Sequence, residues 1–438
     1  MDRLRILLLA PDANPEVICA SLIGYSQAQA LAQLHDVTIV VRSHGEEALR
    51  RKQGSIRSIE VVRLPRFERI LAWIVRCIFK NDHMAHSQSL TAFIYYPFSV
   101  AFEWQAWRQM RARIMAGEFD IVLRLLPVPA VLPSPFAYFL RHGPIPIVIG
   151  PLSGGLPWPP GFRQAEEHKQ WISGSRNLYR FLPFARSTYR HAAAIIAGAS
   201  QTYAEFAKYR EKLFFLLENG VDRSLCSSAG RNLERDDKLE LIFVGSLTPV
   251  KGCDLALRAA APLLRGGLAR FTVVGDGPER KRLEQLTRSL AVEKAVSFCG
   301  MLSHDEAMHR LQSADVLVFP SVRDNSPAVV FEALAAGAVP VVADFGGPGD
   351  TVRPEVGYTV PLTNEADVVS QIEKILTGLA RDRDHLERLR QKGISYAQEC
   401  LNWDAKAQSL TAIMHWALRQ GPKPNLPPPK MPHMERAR

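Results

Sequence analysis

The sequence predicts an α/β protein built as two doubly wound, Rossmann-like domains. Three observations carry this. Short apolar strands alternate with helical stretches along most of the chain, the pattern of parallel sheets covered on both faces. Glycine-rich turns at Gly245-Ser246 and at Gly275-Asp276-Gly277 each follow an apolar strand and open a helix. The 438 residues suffice for two or three domains, each burying a core of its own.

In chain order, the first strand is expected at residues 4–9, a helix near 21–33, and further strands at 37–41 and 59–64. Residues 66–115, rich in Trp, Phe and Arg, read as a long, mostly helical region. Strands resume at 121–125, 145–149 and 194–198. Residues 222–238 hold Ser, Arg, Asp and Glu with little apolar content. They are the expected linker between an N-terminal domain, 1–221, and a C-terminal domain, 239–400. The second domain opens with the strand Leu239–Val244 and continues with strands at 271–274, 296–298 and Val316–Phe319. Residues 401–420 read as a terminal helix. Residues 421–438, with six prolines, are expected to be disordered.

Composition excludes several classes. The chain is 47% hydrophobic and 22% charged, ordinary for a globular protein. No apolar run approaches the ~18–20 residues of a membrane span, and the N-terminal apolar stretch is too short for a signal peptide. The six cysteines, Cys19, Cys77, Cys226, Cys253, Cys299 and Cys400, include no C-x-x-C pair. Neither a zinc site nor a disulfide framework is expected, and a reducing cytoplasm fits. The twelve histidines contain no H-x-x-x-H pair, so metal catalysis gains no support. Asp382-Arg-Asp384 spells a metal-binding D-x-D but lies among arginines, which reads as a solvated helix face. Gly275-x-Gly277 lacks the third glycine of a dinucleotide fingerprint, which argues against NAD.

Charge is lopsided. Residues 1–220 carry 26 Lys and Arg against 17 Asp and Glu, and the remainder 28 against 27. A basic half points to an anionic partner such as lipid phosphate or a membrane surface. Nucleic acid is disfavoured, since no helix-turn-helix, zinc finger or stacking motif accompanies the charge.

The most informative stretch is 323–342. Ser326 reads as a helix N-cap with Pro327 at the first helical position. The amides of Ala328 and Val329 would then face an anion at the positive end of a helix dipole. Asp324 precedes the helix and Glu332 lies about one turn inside it, seven residues between them. A ligand with phosphates flanked by hydroxyls would suit this pattern, and an ordinary βαβ unit with two solvated acids is the alternative.

This segment resembles the acid-x7-acid signature of retaining nucleotide-sugar glycosyltransferases of family 4 (group 1), which have the GT-B fold: two Rossmann-like domains facing across a cleft. Gly245-Ser-Leu-Thr-Pro-Val-Lys251-Gly252 and Gly275-Asp-Gly-Pro-Glu279-Arg280 match in the same order. The resemblance is close over 239–360 and looser before. It implies a hexosyltransferase whose donor, a UDP- or GDP-sugar, lies mostly on the C-terminal domain, with an acceptor on the N-terminal one. Lys251 would meet the donor diphosphate, Glu332 the ribose hydroxyls, and Asp324 the transferred sugar. The amides of Ala328 and Val329 would bind phosphate, Ser326 would belong to the same donor site, and the backbone around Met301 would face the base. Gly245, Ser246, Gly275 and Gly277 would line the donor site, unless these glycines simply make tight turns. No metal or cofactor is implied. The terminal helix would cross back to the first domain.

The chain departs from the family pattern in four places. Ser246 stands where an Arg often clamps phosphate, and Asp324 where Glu is commoner. The paired glycines of the first loop are missing, leaving Gly24 within 21–26. A His often found after the strand ending at Ile149 is replaced by Gly150-Pro-Leu-Ser-Gly154-Gly155, a floor suited to close approach, so Gly24, Gly154 and Gly155 are the acceptor-side candidates. A sugar-nucleotide epimerase or hydrolase, or a degenerate ligand-binding protein, remains as an alternative. Finally, residues 66–80 place Ile70, Trp73, Ile74, Cys77 and Ile78 on one helical face with Arg69, Arg76 and Lys80 towards its flanks. Such a helix can lie in a membrane interface, which would suit a lipid-linked sugar acceptor at the inner face of the cell membrane; packing against the domain is the other reading.

Overall fold

The computed structural model describes residues 2–17, 20–64, 70, 88–125, 132–152, 156, 158–159, 162, 181–226 and 238–426. The chain divides into two compact units. One comprises Met1–Gly155, Lys169–Glu218 and Trp403–Arg438, the other Leu156–His168 and Asn219–Asn402.

The first unit holds a seven-stranded sheet in the order β3-β2-β1-β4-β5-β6-β7. Its strands are β1 (Arg5–Leu9), β2 (Asp36–Arg42), β3 (Ser58–Val62), β4 (Ile121–Arg124), β5 (Ile147–Leu152), β6 (Ala194–Ala197) and β7 (Leu213–Phe215). Every pairing is parallel, as in Ile6↔Val37 and Ile6↔Ile121. Strands β4, β5 and β6 are buried along their whole length, which is why they read as continuous apolar runs rather than alternating ones. The helices Ala20–Leu34 and Trp403–Ala417 pack together on one face, with Ala28, Leu31, Leu410 and Met414 in the shared core. The helix Gln88–Met115 contributes Phe102, Ala106, Met110 and Ile114 to the core on the other face. Strand β5 runs to Leu152 rather than stopping at Ile149, with its register against β6 shifting between those residues.

The second unit is a six-stranded parallel sheet ordered β10-β9-β8-β11-β12-β13. Here β8 is Leu239–Val244, β9 Ala269–Val274, β10 Val296–Gly300, β11 Val316–Phe319, β12 Val339–Ala343 and β13 Tyr358–Val360. Its core runs continuously from Leu241 and Phe243 through Phe271, Leu317 and Val341, and takes in Phe162. The chain builds β9 and β10 outward on one side of β8, then returns to lay β11 on the other side. That reversal opens a crevice at the carboxyl ends of β8 and β11, the usual ligand position in an open α/β sheet.

Candidate donor site in the second unit

The loops leaving β8 and β11 converge. After β8, Gly245 and the exposed Ser246 lead to a short turn, Pro249–Lys251, whose last residue points its ammonium at the next loop. Lys251 forms an ion pair with Asp324, with side-chain exposures of 26% and 13%. Its Nζ also lies 5.5 Å from the centre of the Phe319 ring at the end of β11. A cation and an anion partly withdrawn from water and held on different loops form a self-neutralised pair, which a charged ligand with hydroxyls can reopen.

The helix after β11 is Ala328–Ala336, and its N-cap is Pro327, without a side-chain cap. The expectation for Ser326 is therefore corrected by one position. Its hydroxyl accepts from the Asn219 N–H at 3.2 Å, and its carbonyl from Asn219 Nδ2 at 3.4 Å. A residue 107 positions away thus claims the group that local sequence assigns to capping. The first intrahelical bond runs from Val330 N–H to the Pro327 carbonyl, 3.2 Å. The Ala328 and Val329 amides stand ahead of it, and Ala328 is exposed. They retain the anion-facing position of a helix N-terminus.

Glu332 sits on this same helix, one turn later, and its Oε1 lies 3.1 Å from His304 Nε2. Glu332 is 20% exposed and His304 50%. The hydrogen bond to Glu332 raises the imidazole above its ordinary titration range, burial opposing it. His304 is the first residue of the helix His304–Ser313, whose capping box fixes that turn: Ser303 Oγ accepts from Glu306 N–H, and the Glu306 carboxylate accepts from Ser303 N–H at 2.9 Å. Just before it, Gly300 ends β10 and Met301 is 71% exposed, a large apolar side chain standing in solvent.

Gly275 shows why the turns are glycine. Its φ is +129°, and a Cβ there would stand 2.0 Å from the Gly245 carbonyl oxygen. Gly277 packs in the same way on Leu247. The two glycine turns are therefore fitted to each other, backbone on backbone, independently of any ligand.

Other residues of the site carry no strong local signal. Arg323 Nε donates to the Leu156 carbonyl at 3.1 Å, and its guanidinium lies 5.6 Å from the Trp158 ring centre. The Gly347 N–H donates to the Asp324 carbonyl at 2.9 Å, and a Cβ on Gly347 would fall 2.0 Å from the Asn325 oxygen. The run Phe345-Gly-Gly-Pro-Gly349 after β12 is the one clue in the sequence that this loop presses on the acidic one.

Elsewhere, Gly24 lies buried inside the helix Ala20–Leu34, where a Cβ would stand 3.6 Å from Ala13 Cβ, so it packs a helix onto a loop. Gly150 belongs to β5, while Gly154 and Gly155 lie outside the described residues, as do residues 66–80 apart from Ile70, most of the linker, and the tail from 427. Asp382 is not on a solvated helix face. It separates the helices Glu365–Arg381 and Arg383–Tyr396 and caps the second, accepting from His385 N–H at 2.8 Å. Among the described residues no group of three or more His, Cys, Asp or Glu could hold a metal ion.

Residues 228–396 match the family of glycosyl transferases group 1. An uncharacterised glycosyltransferase of Methanocaldococcus jannaschii is 34% identical over 144 residues, 33% of this chain and 37% of that one. Glycogen synthase of Mycobacterium tuberculosis is 27% identical over 279 residues, 63% of this chain and 65% of its own. The chain thus spans less than two thirds of the length of either relative. The crystal structure of Anabaena HepE in complex with UDP superposes with a TM-score of 0.58 at 16% identity, covering 93% of this chain and 98% of that one. The fold is GT-B, and the stretch that matches the group 1 glycosyl transferases lies in the second unit.

Proposed function

We propose that the protein is a hexosyltransferase that moves a sugar from a nucleoside diphosphate donor to an acceptor, with retention of configuration and without a metal ion. The observation that carries this reading is the Lys251–Asp324 ion pair between the loops that follow β8 and β11, with the N-terminus of the helix Ala328–Ala336, which also carries Glu332, just beyond Asp324 in the chain. The donor diphosphate would draw Lys251 away from Asp324. The ammonium would then offset charge developing on the leaving diphosphate, while the freed Asp324 carboxylate would accept from sugar hydroxyls. The helix N-terminus adds positive potential where Ser246 supplies none. The UDP in the HepE structure supports a uridine or similar nucleotide as the donor's leaving group.

Donor sugars can be found by thermal shift, since a ligand at 100 times its dissociation constant adds ~2.7 kcal/mol to stability. Transfer from the stabilising donor should persist in excess EDTA and yield the donor's own anomer. A rate abolished by chelator and restored by Mg²⁺ would overturn the phosphate assignment, and an inverted product the retaining one.

For the acceptor, a sugar carried on a lipid at the cytoplasmic face of the membrane is the reading favoured by one surface of the first unit. On the helix Gln88–Met115, Trp104, Arg108, Arg111 and Met115 follow one another at helical spacing, and all are exposed, Trp104 to 50% and Met115 to 66%. Trp104 stacks edge-on to Phe139, and Arg141 lies 3.9 Å over the Tyr138 ring beside it. Aromatic and arginine side chains in such a row match a membrane interface, each cation adding ~1 kcal/mol near an anionic surface. Among the described residues no helix is long and apolar enough to cross a membrane, so contact would be peripheral. The protein should float with anionic liposomes at low salt, and less so with added salt or with Trp104→Glu. Failure of the wild type to float would favour a water-soluble acceptor.

A further inference from the structure

The His304–Glu332 contact joins two helices that the acid-x7-acid pattern does not relate. It is rigid at both ends: the capping box at Ser303 holds His304, and Glu332 lies on the buried helix Ala328–Ala336. From this we infer that His304 is a positioning residue for the donor, fixing Oε1 of Glu332 so that its other oxygen meets a vicinal diol of the nucleotide. The inference rests on the donor site proposed above and adds to it a group that selects ribonucleotides over their deoxy counterparts.

The chemistry follows from what each atom has left to offer. A carboxylate on a flexible tether is free to turn, and a ligand that uses it must first restrict it. With Oε1 already accepting from His304, that ordering is in place before the ligand arrives. The raised titration of His304 works in the same direction, because the imidazolium and the neutral Nε2–H tautomer both donate to Glu332. The charged groups around the imidazole are few. Glu332 faces it from the neighbouring helix, and Asp305 Oδ1 lies 3.9 Å from Nδ1 on its own helix. Glu306 is turned back to Ser303, and Arg280, near Gly300, is engaged with Asp276 and Glu284. Among the described residues, Glu332 is the acid that Nε2 meets.

A selective role predicts selective loss. UDP, GDP and ADP are titrated calorimetrically, and the tightest binder is compared with its 2′-deoxy form. His304→Ala should weaken the ribonucleotide about 5- to 10-fold, the loss of one oriented hydrogen bond, and leave the deoxynucleotide within about twofold. His304→Gln, which keeps an N–H donor, should restore much of the preference. Donor KM should rise with kcat nearly unchanged, as loss of uniform binding requires. Equal weakening of both nucleotides, or unchanged ribonucleotide affinity in His304→Ala, would overturn the inference and leave the donor site standing. Failure of all three diphosphates to bind the wild type would remove the donor reading itself, and this inference with it.

Discussion

Replacing Lys251 or Glu332 by alanine is expected to slow sugar transfer ~10²-fold or more, the usual consequence of removing an oriented polar group from a site where charge develops. The two losses should differ in kind. In the proposed site Lys251 is the cation on the leaving diphosphate, so Lys251→Ala should act mainly on kcat. It also leaves Asp324, 13% exposed, without its ion-pair partner before any donor arrives. In the same proposal Glu332 holds hydroxyls remote from the reacting bond, so Glu332→Ala should raise the donor KM and reach kcat through misplacement of the donor. Asp382→Ala is the control. It removes a helix cap worth ~1 kcal/mol of stability and should leave the rate of the folded enzyme alone. Steady-state kinetics with a saturating acceptor settle this, and wild-type rates in both Lys251→Ala and Glu332→Ala would sink the site.

The parts of this fold that were legible in sequence are those with local causes. Strands Leu239–Val244 and Val316–Phe319 fall where their apolar runs begin and end, because both sheet faces are covered and glycine or a polar loop stops the run. The pairing of a basic loop after one strand with an acidic loop after another follows from topology: β8 and β11 are neighbours at the point of reversal. What stayed hidden depends on distant partners. Strand β7, Leu213–Phe215, is three residues long on a sheet edge, and its apolar stretch also suits a helix. Ser326 has the residue type and setting of an N-cap, yet Asn219 takes its hydroxyl. His304 carries no helical or motif signal toward Glu332, which is reached only when two helices pack. Asp382 looks like one charge among many until the chain breaks there and needs a cap.

The largest effect on stability should come from the first unit, at a residue with no sequence signature. Arg124 ends β4, and its side chain is 2% exposed; Glu103, on the helix Gln88–Met115, is 3% exposed and accepts from Arg124 Nε at 2.7 Å. Its second oxygen accepts from Ser134 Oγ at 2.5 Å and Phe136 N–H at 3.3 Å. One carboxylate thus satisfies a buried guanidinium, a hydroxyl and a backbone amide, while Arg124 Nη2 still has no hydrogen-bond partner. The same burial, with the Glu103 charge beside it, pushes the Tyr96 phenol well above its usual titration. Glu103→Ala would strand the guanidinium in a dry site, at a cost of ~3–5 kcal/mol. With a urea slope of ~2 kcal/mol per molar, the unfolding midpoint of this unit should fall by about 1.5 M or more. The paired change Glu103→Leu with Arg124→Met should recover most of the loss, because desolvating the pair already offsets much of its attraction. A midpoint for Glu103→Ala within about 0.3 M of wild type would mean water reaches Arg124, and the buried pair would then hold no special place in the fold.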